Sequence, residues 1–98
     1  MKITKTMNGS NLEIALEGRL DTMTAPELEA ELGKTMSAAD TLTLDFTNLE
    51  YISSAGLRVL LSAHKAMMAK GGMKVLHAND VVQEVFDVTG FADILTIE

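Results

Sequence analysis

The stretch that decides the fold runs from Asp45 to Leu57 and reads DFTNLEYISSAGL. At its start, the segment Thr41–Phe46 alternates polar and apolar residues with a period of two, which predicts a strand with one buried face. At its end the spacing becomes helical, with one apolar stripe formed by Leu57, Leu60, Leu61, His64 and Met68. We therefore expect a strand, a short loop, and a helix over Ser54–Lys70 that stops at the following pair of glycines.

Two serines, Ser53 and Ser54, lie where this helix is expected to begin. A serine at this position commonly caps the helix, because its hydroxyl accepts a hydrogen bond from a backbone N–H. The position also suits a phosphoryl group, since the first N–H groups of a helix have no internal partner and the helix dipole favours negative charge there. A phosphate would add about −1.5 to −2 charges without unfolding a domain. The residues themselves allow both a helix cap and a modification site.

The stretch resembles the signature of the STAS domain, and more narrowly that of bacterial anti-sigma factor antagonists. In that family an Asp-ended strand and a short loop are followed by roughly Asp-Ser-Ser-Gly-Leu at the start of a helix. Aligned on Gly56 and Leu57, Ser54 takes the position of the phosphorylated serine. Ser53 replaces the usual acidic residue, and Ala55 replaces the second serine.

A second mark of the family is a Gly-x-Leu-Asp turn before the first helix, present here as Gly18-Arg19-Leu20-Asp21. The resemblance covers the chain from about residue 3 to residue 97. It implies that Ser54 is phosphorylated, with Ser53 as the second choice. It also implies a partner-binding surface made by Asp21, Asp45, Ser53, Ser54, Gly56 and Leu57.

The resemblance implies a regulatory binding protein that is not itself an enzyme. The unphosphorylated form would bind an anti-sigma factor with serine kinase activity, which would release the sigma factor. Phosphorylation would end the interaction, and a serine phosphatase would restore it. The alternative is a STAS subunit of a signalling scaffold or of a membrane-transport assembly, which would work without phosphorylation.

Composition sets limits on other functions. The chain has 98 residues, which suits a single STAS domain over 1–98, and it has no cysteine, so thiol chemistry and cysteine-ligated metal sites are excluded. Its formal charge of −6 and scattered basic residues argue against nucleic acid as a partner. We expect a cytoplasmic protein without a membrane-inserted segment, either a monomer or a weak dimer.

A serine hydrolase is the enzyme class that the residues suggest, through Ser54, Asp45, His64 and His77. However, residue 52 is isoleucine, where the nucleophile elbow Gly-x-Ser-x-Gly needs glycine. His64 falls on the apolar stripe, so we interpret it as a buried, hydrogen-bonded histidine. The histidines and carboxylates show no metal-ligand spacing, and we predict neither a cofactor nor a metal.

The remaining elements give the order ββαβαβαβ, with a capping box at Thr24 and Glu27 before the first helix and a cap at Asn79 before the last. Three βαβ crossovers predict an α/β, STAS-like fold, in which a mixed, mostly parallel sheet of about five strands is covered mainly on one face by helices. Asp21 and Asp45 are expected to end neighbouring strands close to the two serines. Each carboxylate could contact a binding partner, or it could accept hydrogen bonds from nearby backbone N–H groups and so close a turn.

Overall fold

A computed structural model describes all 98 residues and confirms the predicted order of elements. The strands are β1 (Lys2–Asn8), β2 (Asn11–Leu20), β3 (Thr41–Ile52), β4 (Met73–Leu76) and β5 (Thr96–Ile97). The helices are α1 (Ala25–Thr35), α2 (Ser54–Met68) and α3 (Asp80–Thr89), with short 3-10 turns at Met36–Ala38 and Phe91–Asp93.

The five strands form one sheet in the order β1-β2-β3-β4-β5. The first pair is antiparallel and the other three pairs are parallel, as predicted for a mixed, mostly parallel sheet. Consecutive strands are neighbours, so the three crossovers run in the same direction across the sheet. Right-handed crossovers then place all three helices on one face. The predicted α/β architecture is therefore confirmed.

One hydrophobic core of 23 buried residues lies between the sheet and the helices. On β2 and β3 the alternating residues face this core, namely Leu12, Ile14, Leu16, Leu42, Leu44 and Phe46. The phenyl rings of Phe46 and Phe86 lie 6.4 Å apart between centroids, which joins α3 to β3. The continuous core fixes the helices against the sheet, and so fixes where each helix begins.

The predicted end of β3 at Phe46 is wrong, because the strand continues to Ile52 and no loop precedes α2. Two β-bulges explain the difference. β3 has one extra residue between Asp45 and Asn48, and another between Leu49 and Tyr51, relative to β2. Each bulge interrupts the period of two that marks a strand in a sequence. The buried residues after Phe46 are consequently Leu49 and Ile52, three residues apart.

The predicted apolar stripe of α2 is also partly wrong. Its buried residues are Gly56, Leu57, Val59, Leu60, Ala63 and Met67. Leu61 and His64 are only half-buried, and Met68 is 68% exposed. The side of α2 that faces the core is therefore rotated about the helix axis relative to the predicted side.

No helix of the structure has the length and apolar character required to cross a membrane.

Candidate functional site

The two family motifs meet where β2 and β3 end side by side. Leu20 pairs with Ile52, and the N–H of Ser53 donates a 2.9 Å hydrogen bond to the carbonyl oxygen of Leu20. Asp21 and Ser53 thus follow neighbouring strand ends. Because β2 and β3 are parallel, the turn after Leu20 and the start of α2 share one edge of the sheet.

Gly56 brings α2 close to this strand end. A Cβ atom on Gly56 would lie 2.7 Å from Cγ of Leu20 and 2.9 Å from Cγ1 of Ile52, closer than real carbon atoms approach. Only glycine therefore fits between the helix and the two strands. Gly56 and Leu57 are both buried, so their part in any partner binding is to position the exposed residues beside them.

The predicted serine cap is absent. Ser53 occupies the N-cap position with extended backbone, but neither its hydroxyl nor that of Ser54 caps the helix. The Oγ atom of Ser53 is buried and has no hydrogen-bond partner. Ser54 is exposed, and its hydroxyl makes no hydrogen bond within the protein. The start of α2 is therefore open, and the first-turn N–H groups that a cap would satisfy keep their attraction for an anion.

Asp21 closes the turn that leads from β2 to α1. Its Oδ1 accepts hydrogen bonds from the N–H groups of Met23 (3.0 Å) and Thr24 (3.2 Å). Partial burial acts to raise the pKa of Asp21, but these two amides, the Thr24 hydroxyl and Arg19 hold it below its usual value. The Thr24 hydroxyl donates to the Arg19 carbonyl at 2.7 Å, so the predicted capping box at Thr24 is wrong. The turn-closing interpretation of Asp21 agrees with this geometry.

Asp45 does not end its strand and lies away from the serines. It is in the middle of β3 and pairs with Ala15 of β2, so at the usual rise of a strand it lies about 20 Å from Ser53. Its Oδ1 accepts 2.6 Å and 3.0 Å bonds from the hydroxyl and N–H of Thr47, at the first bulge. The Thr47 hydroxyl is the main cause that lowers the pKa of Asp45, with partial burial opposing it and the Thr47 amide and His77 assisting. The structure thus separates Asp45 from the site that Asp21 and Ser54 share.

His64 is not the hydrogen-bonded histidine that the sequence predicted. Its Nδ1 atom is buried without a partner. The side chain lines a cavity of about 390 Å³ together with Thr41 and Met73, the first residues of β3 and β4. That cavity lies at the opposite end of the strands from Ser54. No cluster of three or more potential metal-binding side chains is present.

Sequence reasoning missed Arg58, which is exposed on α2 one turn after Ser54. The signal was the spacing of four residues, which places two side chains next to each other on a helix. Arg19, in contrast, is already engaged. Its guanidinium lies 4.6 Å from the centre of the Tyr51 ring, and its Nε lies 3.8 Å from Oδ2 of Asp21.

Comparison with known proteins places this geometry in a family. The family model described as "Mlab, STAS domain" matches residues 3–96. The chain is 35% identical to BtrV of Bordetella bronchiseptica, provisionally named an anti-sigma factor antagonist, over 99% of this chain and 85% of that protein. It is 26% identical to the anti-sigma-B factor antagonist of Bacillus subtilis, over 92% of this chain and 84% of that one.

The fold is also that of a solved structure, the anti-sigma factor antagonist SpoIIAA in its unphosphorylated form. The TM-score is 0.84 at 21% identity, over 99% of this chain and 88% of that one. The phosphorylated form of the same Bacillus protein superposes with a TM-score of 0.76 at 20% identity, over 99% and 91%. On its sequence match from residue 3 to residue 96, the chain belongs to the STAS domain family.

Proposed function

We propose that this protein is an anti-sigma factor antagonist controlled by phosphorylation of Ser54. The unphosphorylated protein binds an anti-sigma factor that is also a serine kinase, and the bound sigma factor is released. The observation that carries the proposal is the exposed, unbonded Ser54 hydroxyl at the uncapped start of α2. The names of the two relatives, both anti-sigma factor antagonists, support it.

The chemistry belongs to the partners, and this protein is the substrate. Oγ of Ser54 attacks the γ-phosphorus of ATP bound to the kinase, and the bond from that phosphorus to the bridging oxygen breaks. ADP leaves, and the hydroxyl proton passes to a base of the kinase or to water. A serine phosphatase uses water to split the phosphoester, which returns the serine and inorganic phosphate. Both reactions take place in the cytoplasm, where sigma factors act.

The phosphate alters binding without disturbing the fold. Ser54 is exposed, so its phosphate stays hydrated and needs no repacking of the core. The helix dipole favours the new charge at this end of α2. A partner seated over Ser54 would instead desolvate the phosphate, or bring its own carboxylates against it. A loss of about 3 kcal/mol would weaken the complex roughly 100-fold.

The test uses the purified protein with ATP and each anti-sigma factor of the kinase type encoded in the source genome. Intact-mass and fragmentation mass spectrometry measure phosphate incorporation in the wild type, Ser53→Ala and Ser54→Ala. We expect one phosphoryl group in the wild type and in Ser53→Ala, and none in Ser54→Ala. Loss in Ser53→Ala alone would move the modification to Ser53.

Binding of the same anti-sigma factors is measured by titration calorimetry before and after phosphorylation. We expect binding only by the unphosphorylated protein, with displacement of the sigma factor. If no kinase that is active on a control substrate phosphorylates or binds this protein, the proposal is wrong, and the unphosphorylated scaffold or transport subunit replaces it.

A further inference from the structure

Acidic residues are distributed unevenly over the three helices. The protein has a formal charge of −6, with 14 Asp and Glu residues. α1 carries Glu27, Glu29 and Glu31, and α3 carries Asp80, Glu84 and Asp87. α2 contains no Asp or Glu in its 15 residues, but it has Arg58 and Lys65. The helix that begins at Ser54 is therefore the basic helix of an acidic protein.

The two cations of α2 share a face with Ser54. At 100° per residue, the side chains of Ser54, Arg58, Leu61, Lys65 and Met68 fall within an arc of about 80°. Five of the six buried residues of α2 point to the opposite side, toward the sheet, and Leu57 lies at the border of the two sides. Four of the five residues are exposed, and Leu61 is half-buried. We call this set the outer face of α2. It combines two positive charges with two apolar side chains.

Arg58 has no acidic partner in the protein. The ion pairs of the structure are Lys5 with Glu31 and Arg19 with Asp21, and neither involves α2. The Arg58 guanidinium also makes no hydrogen bond to another side chain or to the backbone. Glu29 of α1 lines the groove between α1 and α2 with Val59 and Ser62, and it forms no ion pair with Arg58. Arg58 is therefore available to an external carboxylate or to a phosphate.

We propose that the outer face of α2 docks an acidic, partly apolar surface of the anti-sigma factor, and that Arg58 is the residue through which phosphorylation switches this face. The proposal rests on the proposed function for the identity of the partner. In the unphosphorylated protein, Arg58 and Lys65 contact partner carboxylates, while Leu61 and Met68 contact apolar groups. A basic face suits an acidic partner even though the whole protein is acidic, because at physiological salt charges interact over only about 8 Å.

Phosphate on Ser54 changes this face in two ways. Residues four apart on a helix have Cβ atoms about 5–6 Å apart, so the phosphate reaches the Arg58 guanidinium within the same helix. The ion pair occupies Arg58, which can then no longer bind a partner carboxylate. The phosphate also adds about −1.5 to −2 charges, which cancels most of the charge of +2 on the outer face.

The ion pair is tested without any partner or kinase. Phosphoserine is incorporated genetically at position 54, and the phosphate is titrated by 31P NMR at low salt. Its pKa of about 6 should rise by roughly 0.3–0.5 in Arg58→Gln, because the guanidinium favours the dianion. Lys65→Gln is the matched control, since it removes the same charge from the same face but lies about 16 Å along the helix from position 54. Equal pKa values in the two variants would disprove the pairing.

Docking is tested with unphosphorylated protein and the anti-sigma factor identified by phosphorylation of Ser54. We expect Arg58→Gln and Lys65→Gln to weaken binding about 10-fold and 3-fold, and to reduce its dependence on salt. Lys2→Gln is the control, because Lys2 is exposed on the edge strand β1 and takes part in neither ion pair. If all three variants bind alike, the outer face of α2 is not the docking surface. If the wild type binds no anti-sigma factor, the proposed function fails, while the phosphate titration still decides the role of Arg58.

Discussion

Gly56 and Leu20 are so close that a Cβ on Gly56 would lie 2.7 Å from Cγ of Leu20. This contact holds the start of α2 against the end of β2. The glycine of the Ser-Ser-Ala-Gly-Leu motif thus has a packing function that is independent of partners. The contact thereby fixes the position of Ser54 relative to the end of β2.

Gly56→Ala should destabilise the protein by about 1–3 kcal/mol, the usual cost of overpacking a core. Gly33 in α1 provides a control of opposite sign. A Cβ on Gly33 meets no atom within 4 Å, so Gly33→Ala should stabilise the protein by about 0.5–1 kcal/mol through helix propensity. Urea unfolding followed by circular dichroism measures both changes. Equal stability of Gly56→Ala and wild type would show that the helix shifts freely.

Ser53→Ala should stabilise the protein by about 1 kcal/mol. Replacing a capping serine by alanine normally costs about that amount, but the Ser53 hydroxyl is buried and makes no hydrogen bond. Removing it therefore relieves a desolvation cost and breaks no cap. Thermal unfolding of Ser53→Ala and Ser54→Ala beside the wild type shows whether each substitution raises or lowers the stability. A lower melting temperature for Ser53→Ala would mean that its hydroxyl caps α2 after all.

Asn79 joins α3 to the far end of β3, so its loss should cost more than a simple cap. Its Oδ1 accepts from the N–H of Val82 at 2.8 Å, and its Nδ2 donates to the carbonyl oxygen of Leu49 at 3.1 Å. We expect Asn79→Ala to lose about 2 kcal/mol. Asn79→Ser keeps a side-chain oxygen that can accept from the Val82 N–H and loses the donor to Leu49, so its loss should be smaller. Denaturant unfolding that ranks Ser below Ala in stability would contradict this division of roles.

Acid should remove a stabilising contribution of Asp21 and Asp45. Folding lowers the pKa of both carboxyls, so their contribution is complete above the unfolded-state pKa of about 4 and is lost as the pH falls through the lower folded-state pKa. Asp45→Asn retains an oxygen that accepts from Thr47 but loses the charge. The variant should therefore be less stable than the wild type at pH 7, and the difference should shrink toward pH 2.

This pH dependence is measured by urea unfolding from pH 7 to pH 2. Asp93→Asn serves as the control, because Asp93 is exposed and its side chain makes no hydrogen bond. A difference between Asp45→Asn and wild type that stays constant with pH would show that the charge of Asp45 does not contribute.

The sequence predicts those features that depend on local rules. The order of elements follows from changes of period, and both ends of α3 follow from Asn79, whose side chain caps the helix, and Gly90, which has the left-handed conformation. The side of α2 that is buried was harder to predict. Leu60 and Leu61 are adjacent and equally apolar, yet only Leu60 is fully buried. Packing against the sheet determines which of the two leucines is buried, and their hydrophobicity does not predict it.

The position of the candidate site depends on features that the alternation of polar and apolar residues does not show. The bulges at Thr47 and Glu50 break the alternation of β3, so a strand that delivers Ser53 directly to the helix was predicted as a loop. The same error placed Asp45 beside Ser54. Ser53 fails to cap for a tertiary reason, since its N–H is bound to Leu20 and its hydroxyl is buried. The residue type alone does not show which of its polar groups the fold buries.

The bulges of β3 also bear on how this sequence can change in evolution. β3 uses eleven residues, from Leu42 to Ile52, to run beside the nine residues of β2 from Leu12 to Leu20. Deleting one bulge residue would restore regular alternation from Leu42 to Leu49 and keep every apolar side chain of the strand in the core. We therefore expect a chain that is one residue shorter at this bulge to keep the same serine at the same edge of the sheet.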